Sequence, residues 1–127
     1  MADKTAAQKL LIKEGYTVLL IHPPANLDDL LGGMPPGVKA QTEGEGQVDL
    51  ILAFIANRQD LEAQLPALKQ RLKPGGLLWI AYHKGTSKVK TDIHRDSINA
   101  YAGTLGWEGV AMVAINEDWA ALRLKVL

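Results

Sequence analysis

The side chains in this chain that could do chemistry gather in three short stretches, each directly after a run of apolar residues. His22, followed by Pro23 and Pro24 and then Asn26, can hydrogen-bond a ligand or act as a general base, or can serve as a satisfied structural histidine. Asn57 and Arg58 follow a second apolar run and supply an amide and a fixed positive charge. The third stretch, "HKGTSKVKTD", carries His83, Lys84, Thr86, Ser87, Lys88 and Lys90 around one glycine. Hydroxyls, cations and the start of a following helix are the ingredients of an anion site. The spacing is not that of a P-loop, because Gly-x4-Gly-Lys-Ser/Thr is absent. The same lysines also fit a solvated surface loop that keeps the protein in solution.

Other chemistries are excluded or find no support. The chain has no cysteine, so disulfides, thiolate metal sites and a thiol nucleophile are ruled out. His22, His83 and His94 are scattered without metal-ligand spacing, and no pair of carboxylates reads as an acid/base dyad. His94, with Arg95 and Asp96 beside it, reads as a solvated helix face. Thr91 and Asp92 read as a helix cap, and Asp49 as part of a strand entrance. The formal net charge of zero argues against a general nucleic-acid or anionic-membrane binder, which would carry an excess of Lys and Arg. Hydrophobic residues at 47% and charged residues at 22% place the 127 residues among globular domains rather than disordered chains. Lys13 and Glu14 interrupt the early apolar run, so a cytoplasmic, soluble, single-domain protein is expected.

The elements that must hold these groups can be read from periodicity. Tyr16 to Ile21 is a continuous apolar strand after a helical turn that Gly15 stops, and Pro23 ends it. A short helix is expected from Asn26 to Leu31, then a short strand from Val38 to Thr42. "VDLILAFI", residues 48 to 55, is a strand buried on both faces. Leu61, Leu65, Leu68 and Leu72 form the stripe of an amphipathic helix, which Pro66 should kink or divide before "KPGG" ends it. "LLWIAY" is the next buried strand, with Trp79 packed inside. A helix from Ile93 to Leu105, capped by Thr91 or Asp92, leads to two strands joined through "NED", an antiparallel hairpin. Alternating strands and helices imply an α/β, three-layer Rossmann-like fold: a mostly parallel sheet of about six strands with a C-terminal hairpin. Trp107 and Trp119 near that hairpin suit either core or interface. The last strand, taken as the sheet edge, would allow a homodimer, with Lys125 as a protecting charge.

The ordered set, "VDLIL", a helix ending in "LKPGG", the strand "LLWIAY", another helix and a hairpin, resembles the class I S-adenosylmethionine methyltransferase fold over nearly the whole chain. "VDLILAFI" looks like the fourth strand of that fold and "LKPGGLLWI" like the turn before its fifth. Against the seven strands of that family the chain lacks the third strand and its helix. In length, and in "LKPGGLLW" with a later "TD" and "DWAALRL", it is also similar to a family of short, uncharacterised bacterial proteins.

The resemblance implies an acidic residue and a glycine-rich turn after the first strand, where the backbone approaches the cofactor. Here the chain reads "LLIHPPANLDDLLGG". Pro23 and Pro24 remove two N–H donors and hold the backbone near φ of about −65°. Glu43 and Glu45, both in a turn, are the sole candidates for the acidic residue that binds the ribose. The expectation is therefore a non-catalytic or regulatory methyltransferase-like domain without a cofactor. It binds a small anionic ligand or a protein partner at the strand-end crevice through His22, Asn26, Asn57, Arg58, His83, Lys84, Thr86, Ser87 and Lys88. A divergent methyltransferase using S-adenosylmethionine, and an interaction protein dimerising through the hairpin, are the alternatives.

Overall fold

A computed structural model describes residues 5–42, 46–84 and 91–126. Thr86, Ser87, Lys88 and Lys90, and the ribose candidates Glu43 and Glu45, lie outside the described residues. The elements in chain order are α1 (Ala6–Lys9), β1 (Thr17–Ile21), α2 (Leu27–Leu31), β2 (Lys39–Gln41), β3 (Val48–Phe54), α3 (Arg58–Arg71), β4 (Leu72–His83), α4 (Arg95–Thr104), β5 (Trp107–Ala114) and β6 (Trp119–Val126). Among the described residues no helix is long and apolar enough to cross a membrane.

The strands form one six-stranded sheet in the order β2-β1-β3-β4-β6-β5. β2, β1, β3 and β4 are parallel, and β6 runs antiparallel to both β4 and β5. This is the expected three-layer α/β fold, with β2 at one edge and no further strand beyond it among the described residues. One face buries Leu61, Leu65 and Leu68 of α3 with Ile98 and Ala102 of α4. The other buries Ala6 and Ala7 of α1 with Leu30 and Leu31 of α2. β3 lies between β1 and β4 with Leu50, Ile51, Leu52 and Ala53 fully buried, which is why its sequence is a run rather than an alternation.

Several local expectations change. α3 is not divided at Pro66, which sits within a continuous helix of fourteen residues. The missing N–H removes one backbone bond, and the leucines on either side of Pro66, buried in one cluster, hold both halves to the sheet. The KPGG segment does not separate helix from strand. Leu72 already pairs with Val48, the ladder skips, and it resumes at Leu77 opposite Leu50, with Gly75 supplying φ of +79° in the excursion. α4 starts at Arg95 rather than Ile93, and its cap is His94, whose backbone and ring exchange bonds with Ser97. Thr91 and Asp92 secure a different helix: the Thr91 hydroxyl donates to the Ala56 carbonyl at 2.8 Å, and the Asp92 carboxylate accepts from the Arg58 N–H at 2.7 Å. Asp92→Ala is expected to cost about 1 kcal/mol through that lost cap, visible as a lower urea midpoint with an unchanged slope.

The sheet edge also moves. β6 lies between β4 and β5, so the edge strand is β5 and Lys125 does not guard it. Trp107 is core at 2% exposure, whereas Trp119 is half-buried, edge-on to Phe54 and stacked on His83 at 3.9 Å.

At the amino ends of the parallel strands, Asp49 accepts from the Thr17 N–H at 2.9 Å and pairs with Lys73 at 3.3 Å, tying β1, β3 and β4 together. The Thr17 hydrogen bond, helped by Lys73 against some desolvation, holds the Asp49 carboxyl below its ordinary value. A depressed folded-state pKa gives stability that is present above the unfolded value, near pH 4, and lost as pH falls through the folded one. Asp49→Asn should therefore flatten the acid limb of a melting-temperature profile below about pH 4 and leave its shape near neutrality unchanged.

Candidate functional site

The chain leaves β1 toward β2 on one side and reaches β3 on the other, so the strand order reverses between β1 and β3. Ligands of open parallel sheets sit outside the carboxyl ends of strands at such a switch point. His22 ends β1 there with φ of +51°, a left-handed conformation seldom taken by residues other than glycine. Its Nδ1 stands 3.2 Å from Oδ2 of Asp60, on the first turn of α3. The imidazole is 57% exposed and the carboxylate 16%. The pair therefore spans the switch point with its ring open to solvent.

Asp60 is the residue that sequence reading missed. Asn57 is the N-cap of α3, its side-chain oxygen accepting from the Asp60 N–H at 2.8 Å, and Asp60 reaches back to the Ala56 N–H at 3.3 Å. The pattern Asn-x-x-Asp ahead of an apolar stripe resembles a capping box and could have marked it. Arg58 is committed elsewhere, its Nε on Glu62 at 3.3 Å and its guanidinium over the Tyr101 ring at 5.9 Å. Asn26 precedes α2 without a side-chain cap bond.

His22, Asn57 and Asp60 thus meet at the crevice, but His83 and Lys84 do not join them as one loop. β4 continues through His83, so successive side chains go to opposite faces. His83 stacks on Trp119 on the face that α1 and α2 cover. Lys84 lines a cavity of about 490 Å3 on the other face, with Tyr82, His94, Arg95, Met112 and Ala120 among its walls. In that cavity Tyr82 is 5% exposed and donates to the Met112 sulfur at 3.1 Å. Burial raises the phenol pKa, with Arg95 opposing and Asp96 adding to the shift. In an absorbance titration Tyr82 should contribute a component that ionises above the ordinary tyrosine range, and Tyr82→Phe should remove it.

Comparison with solved structures agrees with this architecture. The chain is similar to a DhpI–S-adenosylhomocysteine complex, with TM-score 0.65, 12% identity, and coverage of 95% of this chain and 82% of that one. It is also similar to a ribosomal protein L11 methylase from Lactobacillus delbrueckii subsp. bulgaricus (TM-score 0.64, 12% identity, 95% and 74% covered). A SAM-dependent methyltransferase from Aquifex aeolicus gives TM-score 0.62 at 16% identity, covering 97% and 90%. No protein-family model matches the chain, and no curated protein matches its sequence. At these identities the likeness establishes the fold: a Rossmann-like, methyltransferase-like α/β domain.

The residues at the switch point do not fit the glycine-turn mode of holding S-adenosylmethionine. Pro23 and Pro24 offer no N–H groups where that turn would supply them. α2, five residues long, begins only at Leu27. The His22–Asp60 pair bridges the space over β1 and β3.

Proposed function

We propose that the crevice over the carboxyl ends of β1 and β3 is a ligand-binding site, and that its ligand is S-adenosylmethionine or the demethylated product, held in a pose that does not use a glycine turn. The observation that carries this reading is the reversal of strand order between β1 and β3 in a sheet like those of SAM-dependent methyltransferases. In this reading His22 and Asp60 contact the ligand, and Asn57 positions Asp60 through the helix cap.

A second reading is favoured by the two prolines: a non-catalytic or regulatory domain, related to short bacterial proteins of similar sequence, that binds a small anionic ligand or a protein partner. Lys84, and Lys88 beyond the described residues, are its cations. A self-association version of this reading uses β5, the edge strand, whose Val110 and Met112 are 39% and 48% exposed.

Calorimetric titration of the purified chain with S-adenosylmethionine and S-adenosylhomocysteine tests the first reading. Saturable binding of both, weakened at least tenfold in Asp60→Ala while the fold persists, is the expected result. No heat at millimolar ligand would discard it. Binding of inorganic pyrophosphate that Lys84→Ala abolishes would then support the second.

A further inference from the structure

At the opposite end of the sheet from the crevice, the ladder between β4 and β6 stops at the pair Leu78 and Leu124. Beyond it β4 departs into the Pro74, Gly75 and Gly76 excursion, while β6 continues to Val126 paired only with β5. The two strands diverge, and between them lies a slot of about 570 Å3. Leu72, Pro74, Leu77, Trp107, Leu124 and Val126 give it apolar walls. Four further lining side chains are cations, Lys69, Lys73, Arg123 and Lys125, and among the described residues no carboxylate side chain lines it.

These cations are not equivalent. Lys69 is used within the fold, donating to the Leu105 carbonyl at 2.8 Å and lying 5.3 Å from the centre of the Trp107 ring. Lys73 is held by Asp49. Arg123 and Lys125 make no ion pair among the described residues; Glu108 stands opposite Lys125 across the hairpin without forming one. The slot therefore combines an apolar interior with two uncommitted positive charges at one side. Binding sites for small molecules have this composition: mostly apolar walls with a few placed polar groups.

We infer that this slot binds a small amphiphilic carboxylate, its aliphatic chain lying between β4 and β6 and its carboxylate on Arg123 and Lys125. Charge complementarity selects the head group, since a cationic ligand would meet like charge at Arg123 and Lys125. The gap between two diverging strands of one sheet selects an unbranched tail over a broad ring system. The site shares no residue with the crevice, so it stands whether or not S-adenosylmethionine binds there.

The test uses the full chain, with sodium decanoate and the neutral 1-decanol as probes, followed by calorimetry and by NMR of the methyl groups of Leu77, Leu124 and Val126. Decanoate should bind saturably, shift those methyl signals, and lose at least tenfold in affinity in the double variant Arg123→Gln with Lys125→Gln. Decanol binding should be unchanged in that variant, and its melting temperature should stay within a few degrees of the parent. Equal decanoate affinity in parent and variant would overturn the inference, as would absence of binding at millimolar concentration. Shifts confined to Tyr82 and Met112 would place the ligand elsewhere and overturn it too. A second variant, Val126→Trp, should block both probes by filling the mouth; retained decanoate binding there would contradict the slot.

Discussion

Trp79→Ala should lower the stability of the domain by about 3–5 kcal/mol, dropping the melting temperature by roughly 12–20 °C at about 4 °C per kcal/mol. Trp79 lies on β4, 1% exposed, among the largest fully buried side chains. It packs within the cluster that α1 and α2 build on one face of the sheet, with Leu10, Leu31, Leu52 and Ala121. Truncation would leave a cavity that a sheet laddered on both sides of β4 cannot collapse to fill. The indole N–H also donates to the Leu10 carbonyl at 2.8 Å, across sixty-nine residues of sequence. That bond fastens the C-cap of α1 to the sheet, and its loss would leave a buried carbonyl unpaired. Trp79→Phe separates the two contributions, because it keeps an aromatic ring and removes the donor. It should cost about 1–3 kcal/mol, and protection of the α1 amides against hydrogen exchange should fall more than protection of β3. A cost for Trp79→Ala below about 1 kcal/mol would mean that this face of the sheet is not packed as described.

The second large effect is expected at Gly76. A Cβ there would stand 2.9 Å from the Lys73 carbonyl oxygen and 2.8 Å from Leu72 Cδ1. The leucine side chain can rotate away, but the carbonyl belongs to the backbone of the same excursion and can move only by shifting the register between β3 and β4. Gly76→Ala should therefore destabilise by about 1–3 kcal/mol. Gly75→Ala acts by another route. No atom lies within 4 Å of its Cβ position, so its cost comes from φ of +79° alone, about 1–2 kcal/mol. Chemical denaturation of the two variants measures the difference, and the Gly76 clash predicts additional perturbation of Leu50 and Leu77 amide signals that Gly75→Ala lacks. Equal, near-neutral effects at both positions would show that the excursion is free to rearrange.

The order of elements was legible in the sequence because burial on both faces writes itself as uninterrupted apolar runs. "VDLILAFI" and "LLWIAY" could hardly be anything but interior parallel strands, and β3 and β4 are that. The stripe Leu61, Leu65, Leu68 announced α3, and all three are buried. The short "NED" connection announced the hairpin of β5 and β6. Periodicity cannot say which strand of a hairpin faces the rest of the sheet, and here β6 inserts beside β4 so that β5 becomes the edge.

The chemical groups were less legible than the elements. His22 and Asp60 are thirty-eight residues apart and meet only because β1 and β3 are neighbours in a parallel sheet. Thr91 and Asp92, read as the cap of the helix that follows them, instead hold the start of α3, which lies beside them only after folding. The basic stretch after β4 looked like one cluster because its residues are consecutive. A strand sends consecutive side chains to opposite faces, and since β4 runs on through His83, that histidine stacks under Trp119 while Lys84 lines the cavity with Tyr82. What the sequence determined by itself was therefore what local pattern carries: the order of strands and helices, the terminal hairpin and the absence of cysteine chemistry. What only the tertiary structure decided was every property that depends on which distant segments become neighbours, the His22–Asp60 pair, the edge at β5 and the slot between β4 and β6. Contact across a sheet is set by strand order and register, and neither is encoded in the spacing of residues along one strand.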